Sequence, residues 1–142
     1  MNQAVEFDLE DLNIVRDAET PFEFEYVKPD GSNSGIFLSV LGGHSDRVRS
    51  TAAELINARR QKQAAREVQK ARSGRNVPSV EFDTVESDIE FGQRLAAVRL
   101  VGWRGIKQAY TPEGAAKLCK INPLIADQVM QASDDVANFT KV

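Results

Sequence analysis

The chain has one cysteine, one histidine and one tryptophan in 142 residues, and each scarcity closes off some chemistry. With Cys119 alone there is no intramolecular disulfide and no thiolate cluster for zinc, so it reads as a small apolar residue on a helix. His44 stands in "GGHSD" beside Ser45 and Asp46. Neighbours on one turn point apart and cannot converge as a nucleophilic triad, so His44 reads as a turn or cap residue. No apolar run approaches the roughly 18 residues that span a bilayer, and residues 1–20 are acidic where a secretory signal would be basic and then apolar. A cytosolic protein with no membrane partner is the expectation. Internal repeats and low-complexity tracts are also missing. Hydrophobic residues make up 42% and charged residues 27%, unlike the depleted composition of disordered chains, so most of the chain is expected to fold.

What is present is segregated charge. Residues 1–43 carry 2 basic and 9 acidic side chains, residues 44–76 carry 9 and 3, and residues 77–142 carry 7 and 9. The net charge of −3 therefore hides an acidic front, a basic middle and a mixed back.

Three segments follow the same boundaries. In residues 1–43, Phe22, Phe24 and Tyr26 alternate with Glu23 and Glu25, break at "KPDGSNSG" and resume with Ile36, Leu38 and Val40. That pattern predicts a β-hairpin, to which "LNIV" (residues 12–15) would add a third strand. In residues 44–76, Ser45 or His44 caps a helix running to about Arg72. Val48, Ala52, Leu55 and Ile56 give its near half a packing face, while "RRQKQAAREVQKARS" is solvated. Residues 73–79 are loop chemistry and mark a boundary. In residues 77–142, Val85, Ile89, Leu95 and Val98 suggest a helix over residues 83–100, stopped by Gly102. Thr111-Pro112 and Asn122-Pro123 each pair a cap with a first-turn proline, so two helices start there. Ile125, Val129, Ala132, Val136 and Phe139 form one stripe on the last, with Phe139 docking it. The fold class expected is α+β: a small N-terminal antiparallel hairpin or sheet, a long charged middle helix and a compact C-terminal helical lobe.

Functional signals are few. The acidic runs "EFDLEDLNIVRDAE" and "EFDTVESDIEFGQ" lie in polar stretches, where nothing desolvates a carboxylate for acid–base work, and neither has calcium-loop spacing. "GWRG" lacks the further glycines of a nucleotide-binding turn, so no catalytic residue, metal or cofactor is expected. The basic stretch Arg59, Arg60, Lys62, Arg66, Lys70, Arg72 and Arg75 has three readings: a solvated charged helix, a helix that docks on an acidic protein, or a stripe that tracks phosphates. The acidic whole and the lack of a helix-turn-helix or interleaved aromatics count against nucleic acid. Trp103, between Gly102 and Gly105, reads as a core plug just after a helix end, with Arg104 stacking or capping that helix. On chemistry, Arg59, Arg60, Arg66, Trp103 and Arg104 are the partner-binding candidates. Trp103, Thr111, Pro112, Asn122, Pro123, Ile125, Val129, Val136 and Phe139 are the candidate core and cap residues.

Taken in order, "TPFEFEYVKPDGSNSGIFLSVLGGHSD", "LVGWRGI", "YTPEGAAKLCKINPLIADQV" and "ASDDVANF" resemble the tail assembly chaperones of long-tailed, siphovirus-type bacteriophages, from about residue 20 to residue 139. The resemblance implies a non-enzymatic protein of the infected host's cytoplasm, not part of the finished virion. Such a protein keeps the long helical tape measure protein soluble while tail tube subunits are recruited, in many phages through a longer product made by ribosomal frameshifting. Apolar grooves between short helices suit that role, and the segregated charge allows self-association head to tail. The rivals are a small nucleic-acid-associated protein using residues 59–75 and a minor virion tail component.

Overall fold

The computed structural model describes residues 6–73 and 84–140. Arg75, Asp83 and the boundary expected beyond residue 73 lie outside the described residues. The fold is α+β, with the elements β1 (Phe22–Val27), β2 (Asn33–Val40), α2 (Asp46–Ser73), α3 (Val85–Ala97), β3 (Leu100–Arg104), α4 (Pro112–Ile121) and α5 (Pro123–Asp134). A short helix α1 (Ile14–Asp17) precedes them.

The hairpin forms as its alternation dictates. Phe22 stands opposite Val40 and Phe24 opposite Leu38, so the apolar partners share one face. The Asp30 carboxylate ties the connection by accepting from Ser32 N (2.9 Å) and Ser32 Oγ (2.6 Å), which holds its pKa below the ordinary range.

The third strand is not residues 12–15. Those residues end a 3-10 turn (Leu9–Leu12) and begin α1, because Asp8 forms a capping box with Asp11 and Asn13 Oδ1 accepts from Arg16 N at 3.0 Å. The strand that completes the sheet is β3, with Leu38 opposite Trp103 and Val40 opposite Leu100 in the order β1-β2-β3. Trp103 is therefore a strand residue, and Gly102 lies mid-strand opposite Ser39 where a helix stop was expected. The helix before it ends at Ala97.

One core joins the acidic N-terminal segment to the C-terminal helices. Tyr26, Leu38 and Val40 of the hairpin pack with Ala96, Leu100, Cys119, Ile125, Val129 and Phe139. Each fully buried Val or Leu contributes on the order of 1.5–3 kcal/mol, which offsets the ordering of the chain around it. On α3 the buried positions are Ala96 and Ala97, whereas Val85 and Ile89 of the expected stripe face solvent.

The C-terminal stripe also divides. Ile125 and Val129 are buried as expected, but α5 stops at Asp134. Asp135 then caps a 3-10 turn (Val136–Asn138) by accepting from Ala137 N at 3.1 Å, and this turn leaves Val136 exposed. Phe139 swings back into the core, edge-on to Phe22 (6.0 Å) and His44 (5.9 Å).

Candidate partner-binding surfaces

Ser45 Oγ caps α2 by accepting from Val48 N at 3.1 Å, and Val48 is buried at the same end. Beyond Ile56 the side chains of α2 are mostly exposed, as its composition implies. Arg59 leans onto α3, where it pairs with Asp88 and places its guanidinium carbon 4.5 Å from the Phe91 ring centroid. Lys62 and Arg66 follow one and two turns later. With Leu55, Phe91 and Arg94 they line a cleft of about 290 Å³ between α2 and α3. A second cleft of about 330 Å³ continues from Leu55 and Arg94 past Arg47 to Val101 and Tyr110. Burial pushes the Tyr110 phenol up, and its hydroxyl donates to Leu100 O at 2.7 Å.

The other candidates sit elsewhere. Arg104 projects from the exposed face of the sheet, its guanidinium carbon 3.9 Å from the Phe37 centroid. There it donates to the Glu23 carboxylate through Nη2 at 2.8 Å and Nε at 3.2 Å. These bonds hold Glu23 below the usual carboxylate range and raise the Arg104 pKa. Arg104 thus stacks, as one of its expected roles had it, and its guanidinium is engaged on β1 instead of on the end of α3. Trp103 is half-buried on the opposite face. Its indole Nε1 donates to Gln108 O at 2.8 Å and its ring meets Tyr110 edge-on at 5.2 Å. The structure therefore separates the five candidates: Arg59 and Arg66 share a cleft, Arg60 is exposed on α2, and Trp103 and Arg104 face opposite sides of β3.

No family model, curated protein or solved structure matches this chain.

The motif residues lie at joints of the fold. Gly105 has φ +89°, and a Cβ there would stand 2.4 Å from Gly35 O, so the chain passes too close for any side chain. Thr111 Oγ1 caps α4 by accepting from Gly114 N at 2.9 Å, with Pro112 in the first turn. Asn122 does two jobs: Oδ1 accepts from Ile125 N at 3.1 Å to cap α5, whose first residue is Pro123, and Nδ2 donates to Tyr26 OH at 3.2 Å.

A third surface escaped the sequence reading. Ile89, Gly92, Gln93 and Ala96 of α3 face Pro123, Ala126 and Met130 of α5 across a groove of about 320 Å³, with Asp88 and Asp127 at its rim. Ile89 is 56% exposed, and a Cβ built on Gly92 meets nothing within 4 Å. In the sequence this surface shows only as a glycine in the middle of a helical stretch.

Cys119 is buried and its thiol is pushed up to about 11 by desolvation. Among the described residues no three His, Cys, Asp or Glu side chains gather as a metal site, and no helix is long and apolar enough to cross a membrane.

Proposed function

We propose that this chain is a tail assembly chaperone of a long-tailed bacteriophage, a non-enzymatic protein that holds the tape measure protein in the host cytoplasm before tail tube subunits enclose it. The ordered motifs from residue 20 to residue 139 support the family. The observation that carries the mode of action is the α3–α5 groove. A mid-helix glycine costs about 0.5–1 kcal/mol relative to alanine, and at Gly92 no neighbour requires it. The groove it keeps open is apolar at its floor and exposes Ile89 at its edge. An amphipathic helix binds such a groove by inserting apolar anchors spaced three and four residues apart, which is the repeat a tape measure helix offers. The chemistry needed is reversible burial of apolar surface, with no bond made or broken.

Co-expression with the tape measure protein of the same phage tests this, read by soluble yield and co-purification. Wild type is expected to keep the partner soluble. Gly92→Gln, which fills the groove from an exposed position, should lose co-purification while retaining wild-type circular dichroism. Charge reversal of Arg59, Arg60 and Arg66 tells whether the basic helix adds to the grip. Aggregation of the tape measure protein with wild type present would sink the proposal, and steep salt dependence of DNA binding would then favour the nucleic-acid reading. Recovery of the chain in purified virions would favour a tail component instead.

A further inference from the structure

The two sides of α3 carry opposite charge. Its single base, Arg94, lines the clefts towards α2, where Arg59, Lys62 and Arg66 join it. On the side towards α5, no base among the described residues lines the groove, and Asp88 and Asp127 stand at its rim. Helices α3 and α5 together hold five acids, Glu86, Asp88, Glu90, Asp127 and Asp134, against that one base.

Three of these acids are paired from outside the groove. Asp88 pairs with Arg59 of α2, Glu90 with Lys120 of α4 at 3.5 Å, and Asp134 with Arg99 at 3.1 Å. Asp127 is different: it is exposed and has no hydrogen bond or ion pair among the described residues. It also lies in the second turn of α5, past the free amides that an acid at a helix start would satisfy. Its charge does nothing for the fold that the structure shows.

The apolar part of the groove is undemanding in shape. Gly92, Ala96 and Ala126 are small, and Met130 is an unbranched side chain that adapts to what it meets. Such a surface supplies affinity, and discrimination then falls to the charges around it.

We infer that the α3–α5 groove selects a cationic amphipathic helix, one whose apolar anchors are flanked by Lys or Arg, and that Asp127 reads the flanking charge. This rests on the groove being the helix-binding site proposed above. A Lys or Arg stem lies along apolar surface while its charged head reaches a carboxylate. An acidic helix would bring like charge onto Asp127 with no base in the lining to offset it. Arg59 tunes the preference from the other side of α3, because its pair with Asp88 withholds the second rim acid.

Three labelled peptides, each about five helical turns long, test this by fluorescence anisotropy with the full chain at low and high salt. They share leucine anchors three and four residues apart and differ only in the flanking residues, which are Lys, Gln or Glu. The Lys peptide is expected to bind about two- to five-fold tighter than the Gln peptide, and the Glu peptide weakest, with the differences shrinking at high salt. Asp127→Asn should remove most of the Lys preference, leave the Gln peptide unchanged and keep wild-type circular dichroism. Glu54→Gln, the same change of charge at an exposed position of α2, should leave the preference intact. Arg59→Gln releases Asp88 and should widen it, whereas Arg60→Gln should not. Peptides that bind equally, or a preference that survives Asp127→Asn, would overturn the inference and leave helix binding by the groove standing. Binding of none of the three would overturn both, and a Lys preference untouched by Gly92→Gln would put the cationic site elsewhere and overturn the inference too.

Discussion

Arg104 and Glu23 stand on the two outer strands of the sheet and join hands across the middle one, with Phe37 beneath the guanidinium. The pair ties β3 to β1, which do not touch through their backbones. Glu23 should accordingly titrate below ordinary glutamate in wild type and move upward in Arg104→Gln, as read by carboxyl NMR. Because the folded carboxyl is the stronger acid, its contribution to stability is complete above the unfolded-state pKa and is lost as pH falls through the folded one. An unshifted Glu23 in both proteins would show that the pair does not form.

Two glycines should respond in opposite directions to the same substitution. Gly105→Ala places a Cβ on Gly35 O and forces a positive φ on alanine, so stability should fall by more than about 1 kcal/mol. Gly92→Ala meets open space in a helix and should raise stability by about 0.5–1 kcal/mol. Thermal and urea unfolding measure both, and equal signs would contradict the account of the groove.

Asn122 links the C-terminal helices to the hairpin. Asn122→Ala removes the α5 cap and the bond to Tyr26 together, with an expected loss of about 1–2 kcal/mol. Tyr26→Phe removes only the second bond and should cost less. If the two losses are equal in urea titrations, the cap carries none of the energy.

Cys119 should be inert in the native state. Its thiol, raised to about 11 from an ordinary value of 9.0, stays protonated at neutral pH and is closed to solvent. Labelling by dithionitrobenzoate should therefore wait on unfolding and accelerate with urea in step with the unfolded fraction. The folded thiol is the weaker acid, so the associated stability is present below pH 9 and is lost as pH rises through about 11. Rapid labelling of the native protein at neutral pH would place Cys119 outside the core.

The elements that the sequence determined are those whose information is local. The alternation from Phe22 to Val40 specified the hairpin, Thr111-Pro112 and Asn122-Pro123 announced two helix starts by satisfying orphan amides within one turn, and the alanine- and charge-rich run after Ile56 specified a helix with little to bury. What tertiary structure decided involves a choice among distant partners. A third strand was required to stabilise the hairpin, yet nothing local says whether residues 12–15 or residues 100–104 supply it. The answer rests on Leu100 and Trp103 falling opposite Val40 and Leu38 in one register, while Asp8 and Asn13 cap the nearer segment into turns. The same holds for the surfaces. Arg59 and Arg104 are equally basic in sequence, and only packing sends one to Asp88 and Phe91 and the other to Glu23 and Phe37. The α3–α5 groove lies between two helices brought together from separate parts of the chain, with Gly92 on its lining, and a space between elements has no residue of its own to be read in advance.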